Sequence, residues 1–204
     1  MRLIFGLVIC SLIFSGCSSV EQQIVTQKNL PASWLQHTQA IKFIEQWQAN
    51  AQVAITVDDK TQKSKMTWRQ QQQQYSIIFT LPFGQSGPTL AGDETSATLS
   101  IPKEKPLTGQ SAGQLLEQRL GWTLPVENAK FWILGIPSPN SESKVLLKNE
   151  RLTQLSQDGW LINYDRYKLI DGLFMPSKIT ISRGNFSLLL IIYKWAHSQQ
   201  ATAK

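Results

Sequence analysis

Apolar and polar residues alternate with a period of two along much of this sequence, and no other feature constrains the fold as strongly. Apolar residues occupy every second position from 49 to 57, and polar residues such as Asn50 and Gln52 lie between them. That period puts the apolar side chains on one face of a β-strand. A second strand is predicted at about 63–69, and the alternation returns from Tyr75 to Leu81. The links between these strands are too short for helical crossovers, so we expect antiparallel pairing.

Three segments have helical patterns instead. Ser33 is followed three positions later by Gln36, a capping-box pattern, and an apolar stripe from Trp34 predicts a helix that ends near Trp47. Two further helices are predicted at 111–120 and at about 126–134. Strands are predicted again at 143–148, 151–156, 160–165, 175–182 and 186–195. This order predicts a single α+β domain, in which helices gather on one face of a large, curved antiparallel sheet.

The N-terminus resembles the signal of a bacterial lipoprotein. Arg2 precedes an apolar stretch at 3–14, and the small residues Ser15 and Gly16 lead to Cys17, as in a bacterial lipobox. The apolar stretch is shorter than the ~20 residues that span a bilayer. The resemblance implies cleavage before Cys17, with acyl chains on the thiol and the amine of that residue. An ordinary secretory signal, with a cysteine at this position by chance, is the alternative.

The residues after Cys17 indicate the compartment and the domain organisation. Ser18 stands where an aspartate would imply retention at the inner membrane, so the resemblance implies sorting to the outer membrane. The polar stretch that follows has few apolar anchors and is typical of a flexible tether. We therefore predict a lipoprotein signal peptide at 1–16, the acylated cysteine and its tether at 17–30, and one folded domain at 31–204.

Cysteine content and charge argue against several classes of function. The sequence has 2 cysteines, one inside the predicted signal and one at the predicted lipid attachment site. No thiol therefore remains for a disulfide or a metal site. The formal net charge is +6, and the basic residues are scattered along the chain. That distribution suits an anionic lipid surface or an acidic partner better than a nucleic acid.

One motif is compatible with a serine hydrolase. Residues 109–113 match the G-x-S-x-G pattern around Ser111, and Asp165 or Asp171 followed by His197 would complete a triad in sequence order. The motif requires a preceding strand of a parallel sheet, which this sequence does not predict. Ser111 also stands directly before a predicted helix, as an N-cap does, and His197 is placed in a polar C-terminal tail. We therefore predict a protein without enzymatic activity and without a cofactor.

Short motifs along the whole mature chain point to one family instead. They are Trp34 and His37 in the first helix, Trp47-Gln48-Ala49, Met66-Thr67-Trp68, Leu81-Pro82-Phe83-Gly84, and Phe131-Trp132-Ile133-Leu134-Gly135-Ile136-Pro137. Each motif is short, but their order and spacing, together with the lipobox, resemble those of LolB. LolB is the family of outer-membrane lipoprotein receptors that complete lipoprotein sorting in Gram-negative bacteria.

The resemblance implies a fold and a function. The family's fold is a half-open antiparallel β-barrel with a helical lid over a hydrophobic cavity. The implied protein is a lipid-anchored receptor on the periplasmic face of the outer membrane. It accepts lipoproteins from the periplasmic carrier LolA and inserts them into that membrane. Its expected partners are LolA, acylated client lipoproteins and outer-membrane lipid, with no nucleic acid, and we expect a monomer.

The resemblance and the alternation together suggest site residues. Phe83 matches an exposed apolar residue that the family uses in delivery, and we expect it to enter the lipid interface together with Leu81. The alternative is a tight turn whose Phe83 folds back onto the core. Trp34 and Trp132 are expected in the lid. The residues predicted to line the acyl-chain cavity are Val53, Ile55, Trp68, Ile77, Phe79, Ile179, Leu188 and Leu190.

A different class of function fits the same sequence. A lipoprotein that scaffolds an envelope complex would have the same signal and the same alternation, but its core would be filled. An apolar hollow inside the sheet favours the receptor, and a solidly packed interior favours the scaffold.

Overall fold

The computed structural model describes residues 23–25 and 32–198. The predicted signal peptide, Cys17 and most of the predicted tether lie outside the described residues. The described helices are α1 (Ala32–Lys42), α2 (Ala112–Leu120) and α3 (Val126–Trp132). The strands are β1 (Gln23–Val25), β2 (Gln46–Val57), β3 (Lys60–Gln71), β4 (Gln74–Thr80), β5 (Ser86–Gly92), β6 (Ala97–Ser100), β7 (Leu107–Gly109), β8 (Ser143–Lys148), β9 (Arg151–Gln157), β10 (Trp160–Ile170), β11 (Leu173–Arg183) and β12 (Phe186–Ser198).

All of these strands belong to one antiparallel sheet. Its order is β1-β8-β9-β10-β11-β12-β2-β3-β4-β5-β6-β7, which makes 12 strands among the described residues. The long pair of β2 and β12 joins the two halves of the sheet, from Phe186 opposite Val57 to Ser198 opposite Gln46. The edge strands β1 and β7 do not pair with each other. The predicted α+β fold, with an open, curved antiparallel sheet and helices, is confirmed.

Tight turns set the register of the hairpins. Asp58 and Asp59 connect β2 to β3 with φ angles of 46° and 64°, which are the left-handed conformations of a type I′ turn. Val57 and Lys60 therefore face each other at the end of the ladder. Because a slip of one residue would turn every inward side chain outward, this turn holds the apolar set of both strands on the inner face.

The core lies between the inner face of the sheet and the helices. α1 packs against β11, and α2 packs against β5, β6 and β7. Trp34 and Ile41 of α1 are buried, as are Leu115 and Leu116 of α2. The helices therefore cover one face of the curved sheet, as the sequence predicts.

The first helix ends earlier than its apolar stripe predicts. α1 stops at Lys42 and β2 begins at Gln46, whereas the sequence predicts a helix up to Trp47. The indole of Trp47 lies 5.4 Å from that of Trp68 and 5.7 Å from that of Trp195, measured between ring centroids. This cluster joins three neighbouring strands of the sheet, and the packing of large aromatic rings outweighs the weak helical preference at this position.

A buried glutamine holds α3 in place. Gln157 of β9 is 2% exposed, and its side-chain oxygen accepts hydrogen bonds from Trp132 Nε1 at 2.8 Å and from the Ser138 backbone N–H at 3.0 Å. Its amide nitrogen donates to the backbone oxygens of Ser138 at 2.8 Å and Ser141 at 3.0 Å. Tyr164 also donates from its hydroxyl to the Trp132 backbone oxygen at 2.9 Å. The segment from α3 to β8 is therefore fixed to the sheet by a satisfied buried polar network.

Gln157→Leu is expected to lower the free energy of unfolding by about 2–5 kcal/mol, because it leaves the Trp132 and Ser138 N–H groups buried without acceptors. Urea denaturation followed by circular dichroism measures this change. Gln154→Leu on the same strand is the matched control. Gln154 is only part-buried and bonds to Asn163, so its loss should cost about 1 kcal/mol or less. Equal losses for the two variants would contradict the role given to Gln157.

Candidate functional site

A small apolar cavity lies inside the curved sheet. Its volume is about 30 Å³, which is room for a water molecule or two but not for an acyl chain. Six of the eight residues predicted to line an acyl-chain cavity surround it, namely Ile55, Trp68, Ile77, Phe79, Leu188 and Leu190. Val53 and Ile179 are buried, at 3% and 0% exposure, but they do not line this interior cavity.

A larger crevice adjoins the interior cavity and opens to solvent. Its volume is about 320 Å³, and apolar side chains form most of its wall. Asp58, Lys60 and Gln62 stand at its polar lip, at the turn between β2 and β3. The residues shared by the crevice and the interior cavity are Ile55, Phe79, Leu90, Leu116 and Trp122. These five side chains therefore line both spaces where the two adjoin.

Helix α2, with Gly121 and Trp122 directly after it, supplies the part of this lining that does not come from the sheet. The alternation in the sequence does not predict it. Leu116 is 4% exposed, and Leu120, one helical turn later, is 37% exposed at the crevice. Gly121 ends the helix with φ of 73°, a left-handed conformation that glycine adopts without strain. Trp122 follows and stacks on Phe186, with ring centroids 5.2 Å apart. In the sequence, the spacing of Leu116 and Leu120 by four residues is the signal that places both side chains on one face of the helix.

The two tryptophans predicted for the lid lie in α1 and α3. Trp34 of α1 is 3% exposed and its ring centroid lies 6.2 Å from that of His37. Burial, and then the charge of Arg151, lower the pKa of His37 below its ordinary value, so this residue favours its neutral form against the indole. Trp132 is completely buried and packs on Trp160 at 6.0 Å. Both therefore belong to the helical cover of the sheet, while neither lines the interior cavity.

The loop between β4 and β5 projects an aromatic side chain into solvent. Phe83 is 100% exposed and has φ of 61° and ψ of 20°. The loop is closed by a hydrogen bond from the Leu81 backbone N–H to the Gln85 backbone oxygen at 2.9 Å. A left-handed conformation costs a bulky residue on the order of 1–3 kcal/mol. In this structure Phe83 does not fold back onto the core, so neither packing nor backbone preference accounts for an aromatic residue at this tip.

The Phe83 loop and the crevice lie at the same end of the sheet. Leu81, which begins the loop, is 38% exposed and also lines the crevice. Pro88, just beyond the loop on β5, lines the crevice as well. The exposed tip, the apolar stem of the loop and the opening of the crevice are therefore continuous.

The serine of the G-x-S-x-G motif acts as a helix cap. Ser111 Oγ accepts a hydrogen bond from the Gln114 backbone N–H at 3.3 Å at the start of α2, as the N-cap prediction requires. His197 lies in β12 opposite Trp47, not in a polar tail, and its Nε2 is 3.4 Å from Asp171 Oδ2. Asp165 forms an ion pair with Lys178 at 2.7 Å. Among the residues that the structure describes, no contact joins Ser111 to the histidine or to either aspartate.

Comparison with known proteins identifies the family of this chain. The family model "Outer membrane lipoprotein LolB" matches residues 45–195. The chain belongs to the LolB family. An outer-membrane lipoprotein LolB from Nitrosococcus oceani is 33% identical over 193 residues, which cover 93% of this chain and 96% of that protein. The LolB of Francisella tularensis is 32% identical over 183 residues, covering 89% of this chain and 87% of the relative.

A solved structure supports the fold assignment. A LolA superfamily protein from Nitrosomonas europaea superimposes with a TM-score of 0.52 at 11% identity, over 87% of this chain and 96% of that protein. At this identity the likeness concerns the fold alone. The resemblance to LolB that the sequence motifs indicate is thus confirmed, and the open sheet of this LolB family member is an architecture also found in the LolA superfamily. Within the described part of the chain, no helix has the length and apolarity needed to cross a bilayer.

Proposed function

We propose that this LolB family member is a lipid-anchored receptor that accepts lipoproteins from the periplasmic carrier LolA and inserts them into the outer membrane. The observation that supports this most strongly is the continuity of the apolar crevice with the exposed Phe83 loop. Acylated Cys17 anchors the receptor at the periplasmic face of the outer membrane. The role is binding and transfer, without a chemical step.

The physical need for such a protein is the cost of exposing acyl chains to water. Each buried methylene is worth about 0.8 kcal/mol, so a lipoprotein with several acyl chains cannot cross an aqueous space bare. An apolar pocket replaces the bilayer during the transfer. The crevice of about 320 Å³ receives the first part of a chain, and the interior cavity must open to take the rest.

We place the moving part of the wall at α2 and Trp122. Leu116 and Trp122 line both the crevice and the interior cavity. The C-terminal end of α2 is tied by the exposed Arg119–Glu104 ion pair, which contributes little stability. α3 is held instead by the buried hydrogen bonds of Gln157. An outward shift of α2 would join the two spaces, while Trp132 stays fixed to the sheet.

Delivery to the membrane follows from the position of the loop. Phe83 is fully exposed at the tip of the loop whose first residue, Leu81, lines the crevice, so insertion of the tip into lipid brings the crevice towards the membrane surface. Burial of the ring offsets the strain of its backbone, since a fully buried phenylalanine gains about 1.5–3 kcal/mol. If the affinity for acyl chains rises from carrier to receptor to membrane, the transfer runs downhill and needs no nucleotide.

The small interior cavity is the observation that favours the scaffold alternative. An enclosed volume of about 30 Å³ is close to the filled core that a scaffold lipoprotein would have. A scaffold could use the exposed Phe83 to contact a partner, but it has no need of an open apolar crevice beside the interior cavity. The receptor is therefore the function that the geometry supports better.

A handover assay tests this proposal. Carrier loaded with an acylated client is mixed with the mature chain carrying Cys17→Ser, which retains every described element, and the client is followed by co-purification. The client should move from the carrier to this protein, and a client without acyl chains should not bind. Retention of the acylated client on the carrier, at every protein ratio, would leave the scaffold as the better interpretation.

A further inference from the structure

The outer face of the sheet has a second apolar groove, which meets the crevice at Lys63, Ser64 and Leu81. This outer groove has a volume of about 450 Å³ and runs from the Phe83 loop across β3, β2 and β12. Its apolar floor includes Ala54, Leu189 and Ile191. Ala54 lies opposite Leu189 in the ladder, and Ile191 is 36% exposed. These residues point away from the core, so the packing of the protein does not account for their apolar character.

Two lysines stand beside this floor. Lys63 lies opposite Ala54, and Lys65 lies opposite Gln52, so both side chains are on the outer face with the groove. Both residues are exposed. None of the described residues that line the groove has a carboxylate, and within the described ranges neither lysine takes part in an ion pair. The groove therefore combines an apolar floor with uncompensated positive charge.

We propose that the outer groove binds an anionic phospholipid of the target membrane. The ammonium groups of Lys63 and Lys65 bind the phosphate, and the start of an acyl chain lies on Leu189 and Ile191. This inference rests on the proposed membrane role of the Phe83 loop and adds a lipid class and a binding site to it.

The position of the groove favours a lipid over a soluble anion or a peptide. Pro82, Phe83 and Gly84 form one of its walls, so insertion of Phe83 brings the groove down to the headgroup layer. Lysine stems can lie along apolar surface while their ammonium groups reach the phosphates. A soluble anion would need no apolar floor, and a peptide strand would need a free sheet edge, whereas β3, β2 and β12 are all paired on both sides.

Vesicle flotation tests the proposal with the mature Cys17→Ser chain, so that the lipid anchor does not dominate binding. The vesicles contain either phosphatidylcholine alone or phosphatidylcholine mixed with phosphatidylglycerol, at low ionic strength. A lysine close to an anionic surface contributes about fivefold to binding. Lys63→Gln combined with Lys65→Gln should therefore weaken binding to the anionic vesicles about thirtyfold. Binding to the neutral vesicles should not change, and added salt should remove the difference.

The matched control is Lys144→Gln combined with Lys148→Gln, which removes the same charge from exposed positions on β8. It should retain nearly all of the anionic binding. An equal loss in both double variants would show that overall charge acts and would overturn the groove assignment. The assignment would also be overturned if the Lys63 and Lys65 double variant bound anionic vesicles as tightly as the wild type does. A changed oligomeric state of that variant would overturn it as well, because a second copy of the chain would then be the occupant of the groove. Handover from the carrier needs no vesicle, so its failure would count against the proposed function separately.

Discussion

Phe83→Glu should lower the delivery of lipoproteins to membranes by about ten- to a hundredfold, while acceptance from the carrier stays unchanged. The ring is fully exposed, so the substitution removes no packing from the folded protein. Its insertion into lipid is worth about 1.5–3 kcal/mol, which corresponds to this range of rates or occupancies. A carboxylate at the same tip would also have to be desolvated on entering the interface. The measurement compares client transfer from carrier to receptor with client transfer from receptor to vesicles.

Two controls separate the loop's function from its conformation. Phe83→Leu keeps an apolar tip and should retain most of the delivery. Phe83→Gly removes the ring and relieves the left-handed strain at φ of 61°, so it should fold at least as stably as the wild type while it delivers poorly. Normal delivery by the glutamate and glycine variants would show that the loop does not enter the membrane.

The second large effect is expected at the opening of the crevice. Leu120→Glu should lower acceptance of acylated clients by about ten- to a hundredfold, because an acyl chain that enters the crevice must displace water from the new carboxylate. Leu120 is 37% exposed at the end of α2, so the substitution should cost about 1 kcal/mol of stability or less. Binding of a fluorescent acylated client, titrated with each variant, measures the change.

Leu169→Glu is the matched control for this substitution. Leu169 is a 62% exposed leucine of β10 that does not line the crevice, and the same change there should leave client binding within twofold of the wild type. Equal binding by the two glutamate variants would mean that acyl chains enter by another route.

Local sequence patterns predict where the strands lie along the chain better than they predict where each strand ends. Asp58 and Asp59 mark a turn in the sequence, because aspartates tolerate the left-handed conformations that the hairpin requires. The end of β12 is not identifiable in this way, because His197 and Ser198 begin a polar stretch of the sequence. Residues 196–198 become a strand through pairing with Gln46, Trp47 and Gln48. Partners so distant along the chain leave no signature in a short window.

The same limit explains the error at Trp47. This residue continues the helical stripe from Ile44 and also begins the alternation through Ala49. Local spacing therefore fits either element. The contacts with Trp68 of β3 and Trp195 of β12 favour the strand. These two strands are the neighbours of β2 in the sheet.

The sequence predicts part of the candidate site, and the limit again lies in what a local pattern can show. Alternation identifies side chains that point inward, and Ile55 and Phe79 are correctly placed on the inner face by this rule. It cannot distinguish an inward side chain beside a cavity from one that is simply packed, as Val53 and Ile179 are. Alternation gives no signal for Leu116 and Trp122, because it applies to strands, whereas this part of the cavity lining comes from α2 and the residues after it.

Client acyl chains are expected to occupy the space under α2 and Trp122, and site-specific photocrosslinking tests this most directly. p-Benzoylphenylalanine replaces Trp122 in one variant and Tyr193, a 50% exposed aromatic residue outside the crevice, in another. After handover from loaded carrier and illumination, mass spectrometry locates the crosslinks. Crosslinks to the client's acyl chains are expected from position 122, and none from position 193. Crosslinks to acyl chains from position 193 alone, with a client bound, would contradict it.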